Sequence, residues 1–444
     1  MSLSTLPSEL QSAIVRHLGQ LLGSNKKVLR RQGRTLALVS SQWRTLGTAL
    51  SWEKFELIFD SFEDRVEGEM QHVHEHLDLV KYLTDVSIDL RLLEGSEWEE
   101  LPDVEPFLKN RLETERFATK SLPLCNGLRH LNMNFTTLGL AQLFLTPYRN
   151  TFQNPFPQLE SFTFILDDTN PEALSNTLKF SVPLPCTALL EVLPLLSSLE
   201  KLDLRLRSSS EADLPHHDLP SNPALPNLEH LRIDFAALSD STEDIDSTPL
   251  EAEDYLLYVL SLPSPTRLRS LVLSVTFLSS STITDLHSFA SLSALTLRLE
   301  PETLSSILRF LPPLLGSLNR LTSLELLATH TISKGKLIEP SRSQLESLLS
   351  SLPTPLVSLT THFDLTTEDR QSVIVDFLNS RSGGSLESWQ FYDRRTEEEE
   401  LKGRTAGYWE LVLTEVYKIL EGGERSWKKR ARNFRILTAL KHRN

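Results

Sequence analysis

Charged residues alternate with apolar ones in two short segments, LEKLDLRLR from Leu199 and LEHLRIDF from Leu228. In a β-strand every second side chain lies on the same face, so the charges of each segment share one face. Its Lys, Arg and His side chains could bind an acidic or phosphorylated segment of another protein. The predicted binding residues are Lys201, Asp203, Arg205, His230, Arg232 and Asp234, with Tyr392 in a later segment.

A simpler interpretation of the same residues is mutual neutralisation. If the two segments form neighbouring parallel strands, Asp203 lies beside Arg232 and Arg205 lies beside Asp234. Such opposite pairs contribute about 0.2–1 kcal/mol each to stability and leave less charge for a partner. Lys201 and His230 would then remain to meet the acidic group.

Other candidate chemistry is weaker. Glu69, His72 and His76 would share one helix face at a spacing that a metal could use, but no second cluster completes four ligands. A solvated helix face is the favoured interpretation, and no metal or cofactor is predicted. The chain has no GxSxG, no GxxxxGK[ST] and no paired zinc cysteines, so we expect a protein that is not an enzyme.

A repeated pattern organises most of the chain. The form L-x-x-L-x-L, with aromatic or β-branched substitutes, recurs ten times. It begins at Leu83, Leu128, Leu159, Leu199, Leu228, Leu268, Leu292, Leu321, Leu356 and Leu386. The alternation predicts a short strand in each copy, and segments such as EDYLLYVLSLP and SQLESLLSSLP between copies predict helices. Strand and helix repeated in this way predict an α/β solenoid, with parallel strands inside and helices outside.

The repeats resemble the leucine-rich repeat family over roughly residues 80–400. In that family the residues between the strand leucines line a concave binding face. The position at which the family usually has Asn or Cys is here Thr136, Asp167 or Arg207, for example, and the intervals are long and uneven. The resemblance therefore implies an irregular solenoid.

The N-terminal residues form a separate pattern. Leu6, Leu10, Ile14 and Leu18 stand four residues apart, and LALVSSQWRTL follows from Leu36. The ordered set Leu-Pro-x-Glu, Leu-x-Leu-Val-Ser-x-x-Trp-Arg and a closing Trp52 resembles the F-box, a small all-α module. The basic link GQLLGSNKKVLRRQGRT is longer than the family's usual link and is interpreted as a surface loop, or as a feature that weakens partner binding.

The resemblance implies a function. F-box helices bind the Skp adaptor of a cullin-based ubiquitin ligase, and repeats that follow bind the protein to be ubiquitylated. The implied adaptor contacts are Leu6, Pro7, Leu10, Ile14, Leu36, Val39 and Trp43. The alternative is a repeat scaffold, without a ligase role, whose helical end serves only as a cap. The layout resembles fungal F-box proteins with irregular leucine-rich repeats.

Three regions are predicted: an F-box-like helical module over residues 1–57, the solenoid over 58–400, and a C-terminal cap over 401–444. The cap combines a helix, GYWELVLTEVYKIL, with a basic tail. The basic run from Lys428 to Arg432 is typical either of a nuclear-import signal or of a plain basic terminus.

Charge and hydropathy limit the classes of partner. Residues 51–400 hold 27 Lys and Arg against 54 Asp and Glu, which argues against nucleic acid as a partner. No apolar run reaches the roughly 20 residues of a membrane span, and no secretion signal is evident. We therefore expect a protein of the cytoplasm, the nucleus or both, with no membrane partner.

Overall fold

The computed structural model describes most of the repeat region and part of each end of the chain. The described residues are 10–11, 13–15, 17, 26–38, 41–58, 73, 76–90, 116–135, 145, 147–148, 155–168, 185–208, 224–237, 250–275, 278–328, 338–363, 365, 368–380, 386–391 and 409–412. These residues fall into two compact units, with the first ending at Leu228 and the second beginning at Glu229.

The first unit contains five parallel strands that are adjacent in chain order. They are β1 (Lys54–Ile58), β2 (Asp85–Leu90), β3 (His130–Phe135), β4 (Ser161–Asp168) and β5 (Lys201–Ser208). Its helices are α1 (Lys26–Ala37), α2 (Ser41–Trp52) and α3 (Pro185–Val192), with helical residues also between 10 and 17. Short 3-10 helices at Leu77–Tyr82, Leu122–Leu124 and Leu193–Leu195 lead towards the next strand.

The second unit continues the same alternation. Its parallel strands are β6 (His230–Ala237), β7 (Ser270–Val275), β8 (Ala294–Leu299), β9 (Ser323–Ala328), β10 (Ser358–Thr361) and β11 (Ser388–Phe391), and β12 (Trp409–Val412) is antiparallel to β11. Its helices are α4 (Leu250–Ser261), α5 (Ser280–Asp285), α6 (Pro301–Ile307), α7 (Leu311–Ser317), α8 (Arg342–Ser350) and α9 (Glu368–Ser380). The fold is therefore α/β with parallel strands, as predicted.

The repeated leucines lie in the core. The first leucine of all ten copies is at most 1% exposed. Within the strands burial alternates, as in β8, where Leu295, Leu297 and Leu299 are buried and the residues between them are half-buried. One face of each strand therefore packs into the core, and the other face carries the polar side chains.

A backbone contact repeats at the start of the strands. The carbonyl oxygen of Glu53 accepts hydrogen bonds from the N–H groups of both Thr84 and Asp85, at 3.0 and 3.1 Å. The carbonyl of Thr84 does the same for the next repeat, with distances of 2.8 and 2.9 Å. Within the described residues the same double contact is made by the carbonyls of Glu53, Thr84, Arg129 and Glu160 in the first unit, and by those of Glu229, Arg269, Ser293, Thr322 and Val357 in the second.

The first repeat lies earlier than the sequence pattern indicated. Trp52-Glu53-Lys54-Phe55-Glu56-Leu57 fits the repeated form, and Lys54–Ile58 pairs with β2 as the first strand. The sheet thus begins before the predicted boundary between residues 57 and 58. The predicted surface loop between the N-terminal helices is also corrected, because Lys26–Ala37 forms α1.

The C-terminal cap differs from the prediction as well. Trp409–Val412, which was expected to be helical, forms β12 and pairs with the last parallel strand. Apolar and charged residues alternate from Trp409 to Leu411, and pairing satisfies the backbone groups that an edge strand leaves open. The remainder of the cap, including the basic run, lies outside the described residues.

Candidate functional site

The charged residues predicted on β5 form a compact pair. The guanidinium of Arg205 donates two hydrogen bonds to the carboxylate of Asp203, from Nε at 3.0 Å and from Nη2 at 2.7 Å. Both side chains are half-buried, and Lys201 is exposed. A bidentate pair fixes the guanidinium in one orientation, so Lys201 is the freer cation of this strand.

The corresponding residues on β6 repeat this arrangement more loosely. Nη2 of Arg232 lies 3.7 Å from Oδ2 of Asp234, and Asp234 is only 7% exposed. His230, at the start of the strand, is exposed. Both ion pairs therefore join residues two apart on one strand, which is the closest spacing on one face. The predicted pairs between the two strands stay a prediction.

Polar residues of the first unit form a second group, which sequence patterns did not single out. Asn132 Nδ2 donates to Oγ of Ser87 at 3.2 Å, and Asn134 Nδ2 donates to Oδ2 of Asp89 at 3.5 Å. These bonds join β2 to β3 on the polar face. The signal was present as Asn at alternate positions of LRHLNMNF, where an amide can bond its neighbour across the ladder.

The second unit carries a further polar group on β8, β9 and β10. Oγ1 of Thr296 donates to Oε2 of Glu325 at 3.1 Å, and Arg298 lies two residues further along the same face. His362, after β10, is buried, and its Nδ1 lies 3.1 Å from the backbone nitrogen and 3.3 Å from the backbone carbonyl oxygen of Ala328. Burial lowers the pKa of His362, and the positive charge of Arg298 lowers it further, against the raising effects of its bond to Ala328 and of Glu325.

Charged side chains also border the starts of the strands. Arg129 Nη1 lies 3.5 Å from Oε1 of Glu160, and Arg269 Nη2 lies 3.6 Å from Oε1 of Glu229. Each pair joins consecutive repeats within one unit. Arg129, Glu160 and Arg269 have exposed side chains, so such pairs contribute about 0–1 kcal/mol each, and their main effect is to neutralise opposite charges at the starts of the strands.

The N-terminal module has a small core of its own. Trp43 is 1% exposed and packs with Val15 and Leu50, and Ile14, Leu36 and Leu46 are partly buried against them. Trp43 was predicted as an adaptor contact; this burial makes it a core residue instead. The reason is its position on α2, on the side that meets the helical residues before α1.

Two leucines of this module point into solvent. Leu10 is 52% exposed and Leu38, at the end of α1, is 87% exposed. Leu38 belongs to the F-box-like pattern but is not among the predicted adaptor contacts. Of the other predicted contacts, Ile14 and Leu36 are half-buried, and Leu6, Pro7 and Val39 lie outside the described residues, as does Tyr392 of the predicted substrate surface.

The module is joined tightly to the first strands. The ring of Trp52 meets that of His76 edge to face, with centroids 6.3 Å apart. Lys54 Nζ lies 3.4 Å from Oδ2 of Asp85. Burial raises the pKa of the neighbouring Glu53 carboxyl, opposed by the charge of Lys54 and reinforced by that of Asp85.

The described part of the chain contains no metal centre, and the thiol of Cys125 is not a reactive one. No group of three or more His, Cys, Asp or Glu side chains there could hold a metal ion. Burial raises the pKa of Cys125 to about 12, so its thiol is a poor nucleophile. His76 contacts Trp52, while Glu69 and His72 of the proposed metal pattern lie outside the described residues.

Comparison with known proteins leaves the family of the chain open. No protein-family model matches the chain, and no curated protein matches it. Among the described residues, no helix combines the length and hydropathy needed to cross a membrane. The functional proposals therefore rest on the contacts and burial of the chain itself.

Proposed function

We propose that this protein is the substrate-recognition subunit of a Skp–cullin–F-box ubiquitin ligase. The helical module before β1 docks the Skp adaptor and, through it, a cullin. The strands that follow form a leucine-rich-repeat solenoid whose polar face binds the target protein. The chain itself carries no bond-making chemistry and acts in the cytoplasm, the nucleus or both.

The observation that carries this proposal is the pair of exposed leucines on a module that already has a core. Trp43, Val15 and Leu50 bury one side of the module, so Leu10 and Leu38 are not needed for that core. Exposing a leucine to water forgoes roughly 1.5–3 kcal/mol of burial free energy. A partner protein that covers both side chains would recover it, as an adaptor does in the family that the sequence resembles.

A repeat scaffold with a helical cap is the second candidate. The contact of Trp52 with His76 and the direct passage from α2 into β1 favour it, because both tie the module to the end of the sheet. Repeat arrays require such caps to cover the first core layer. The two functions differ in whether the Leu10 and Leu38 side chains bind a partner.

Co-purification of the full chain with a Skp adaptor and a cullin tests the proposal. The variant carrying Leu10→Asp and Leu38→Asp should lose the adaptor by about thirtyfold or more in affinity, the effect of losing a hot-spot contact. Leu124→Asp is the matched control, since Leu124 is also exposed but lies outside the module. A folded wild-type chain that fails to bind any Skp adaptor would support the scaffold instead.

A further inference from the structure

One arginine differs from the other half-buried arginines of the described chain. Arg205 pairs with Asp203, Arg232 with Asp234, and Arg370 with Glu339 at 3.4 Å. Arg298 is the fourth half-buried arginine, and within the described residues its guanidinium forms no hydrogen bond or ion pair. A guanidinium has five N–H donors. When it is half-buried and has no acceptor in the described chain, these donors are available to bind an acceptor on another molecule.

The position of Arg298 on β8 makes it part of the polar face. The register places it between Ser274 of β7 and Leu327 of β9. Its Nε is buried and has no acceptor among the described residues. Ser274 is 8% exposed and forms no side-chain hydrogen bond among these residues, so its hydroxyl is a second donor beside the arginine.

The carboxylates nearest in register have other partners. Asp234, one strand beyond Ser274, is bound by Arg232. Glu325 of β9 accepts the hydroxyl of Thr296, which is the residue in register with it.

We propose that Arg298, with the hydroxyl of Ser274, binds the carboxylate of an Asp or Glu side chain presented by the target protein. This inference rests on the proposed function, because it names the group by which the polar face recognises its target. The guanidinium supplies a bidentate fork that matches the two carboxylate oxygens, and the hydroxyl adds one donor. The bound carboxylate would give Arg298 the partner that the other three arginines have within the chain.

The surrounding charge selects a carboxylate over a phosphate. A phosphoryl group carries close to two negative charges, and here it would meet one guanidinium that has no partner among the described residues, with Asp234 two strands away in register and Glu325 on the adjacent strand. His362 does not compensate, because burial and Arg298 itself lower its pKa and hold it neutral. A single negative charge therefore matches the site better than two.

Peptide selection on the full chain tests the proposal. A randomised twelve-residue phage library is panned against the wild-type protein, and selected peptides are remade with their acidic residue changed to the amide or to phosphoserine. We expect selected peptides to share one acidic residue whose amide version binds at least about tenfold more weakly. Arg298→Gln should cause the same loss and make the protein indifferent to the amide change.

Matched variants separate recognition from folding. Arg320→Gln removes an exposed arginine from the turn before β9 and should leave peptide binding unchanged. Arg298→Lys keeps the charge without the fork and should bind with intermediate affinity, and melting curves of all variants establish that they fold. The proposal is overturned if no acidic peptide is selected, if Arg298→Gln binds like wild type, or if the phosphoserine peptide binds more tightly than the acidic one.

Failure of this proposal is distinguishable from failure of the ligase function. The selection uses the chain without an adaptor, so its result does not depend on the Leu10 and Leu38 surface. Arg298→Gln should also co-purify with the Skp adaptor as wild type does, since Arg298 belongs to the second unit and the helical module to the first.

Discussion

Gly33 of α1 lies directly against Gly47 of α2. A Cβ placed on Gly33 would overlap the carbonyl oxygen of Gly47 and approach Cβ of Ser51 to 2.8 Å. The two helices of the N-terminal module therefore cross at a distance that only glycine allows at this position.

Gly33→Ala should loosen the module that carries Leu10 and Leu38. We expect a loss of about 1–3 kcal/mol, because the added methyl meets backbone that cannot move away alone. Hydrogen exchange over residues 26–52 is the measurement, since it reports on this module separately from the rest of the chain.

Gly316→Ala is the control for that substitution. A Cβ on Gly316, in α7, would have no atom of the described residues within 4 Å, so alanine should be neutral or should stabilise the helix by up to about 1 kcal/mol. Equal protection of residues 26–52 in Gly33→Ala and wild type would contradict the close-packing argument.

The buried bond between Trp389 and Thr361 should contribute to the second unit. Nε1 of Trp389 donates to Oγ1 of Thr361 at 3.1 Å, and both side chains are almost fully buried. Thr361→Val removes this acceptor and should cost about 1–3 kcal/mol in urea unfolding followed by circular dichroism. Thr360→Val, the same change on the polar face, should stay within about 0.5 kcal/mol.

A double-mutant cycle tests the assignment of that cost. With Trp389→Phe the indole donor is absent, so adding Thr361→Val should cost about 1 kcal/mol less than it does in the wild type. If the two losses simply add, the bond between the two side chains does not explain the effect.

Acid should weaken the second unit through His362. Because burial lowers the pKa of His362 in the folded chain, the unfolded chain binds the proton first as the pH falls. The free energy of unfolding is therefore unaffected by this group well above pH 6.5, and it decreases as the pH falls below that value towards the lower folded pKa. Arg298 and Glu325, the charged neighbours of this histidine, act on its pKa in opposite directions.

His362→Gln provides the reference for this pH dependence. As the pH falls from about 7 to about 5, the free energy of unfolding of the wild type should decrease relative to that of His362→Gln. His130→Gln changes an exposed histidine on β3 and is the matched control for the substitution itself. A parallel pH profile for wild type and His362→Gln would refute the prediction.

The Cys125 thiol should resist alkylation in the folded protein. Its pKa of about 12 leaves very little thiolate in neutral buffer, and its Sγ faces the carbonyl oxygen of Ser121 at 3.6 Å inside the core. In a Cys186→Ser background, maleimide labelling should be slow in buffer and rapid in concentrated urea. Rapid labelling under native conditions would indicate that the segment around Leu122–Leu124 opens readily.

The repeated leucines made the fold predictable from sequence. Ten copies of one pattern predicted ten parallel strands, because a short alternating segment has only one face to bury. The copy at Trp52 is hard to recognise in the sequence, because Trp52 and Phe55 take the place of two leucines and also fit the end of the F-box-like pattern. The strand from Trp409 was missed because Trp409, Val412 and Leu413 also fit a helix period.

The candidate site was less predictable, and the reasons are geometric. Sequence spacing placed Asp203 and Arg205 on one face, but it could not decide whether each pairs along its strand or with a neighbouring strand. That Arg298 has no partner among the described residues depends on Asp234 and Glu325 being engaged elsewhere, which only side-chain positions reveal. The sequence alone does not decide whether Trp43 meets a partner or the core, because its helical period fits an exposed face and a core face equally well.

The double hydrogen bond at the starts of nine described strands keeps the register of the sheet the same whatever the length of the connection before the strand. The carbonyl of Thr84 receives the N–H groups of Arg129 and His130, and that of Arg269 receives those of Ser293 and Ala294, so a long and a short connection end in the same geometry. Since closing a longer loop costs little additional entropy, segments can be added or lost between strands without shifting any side chain to the other face. The connections of this protein are therefore free to diverge in length while the row of polar residues on the exposed face of the sheet stays in place.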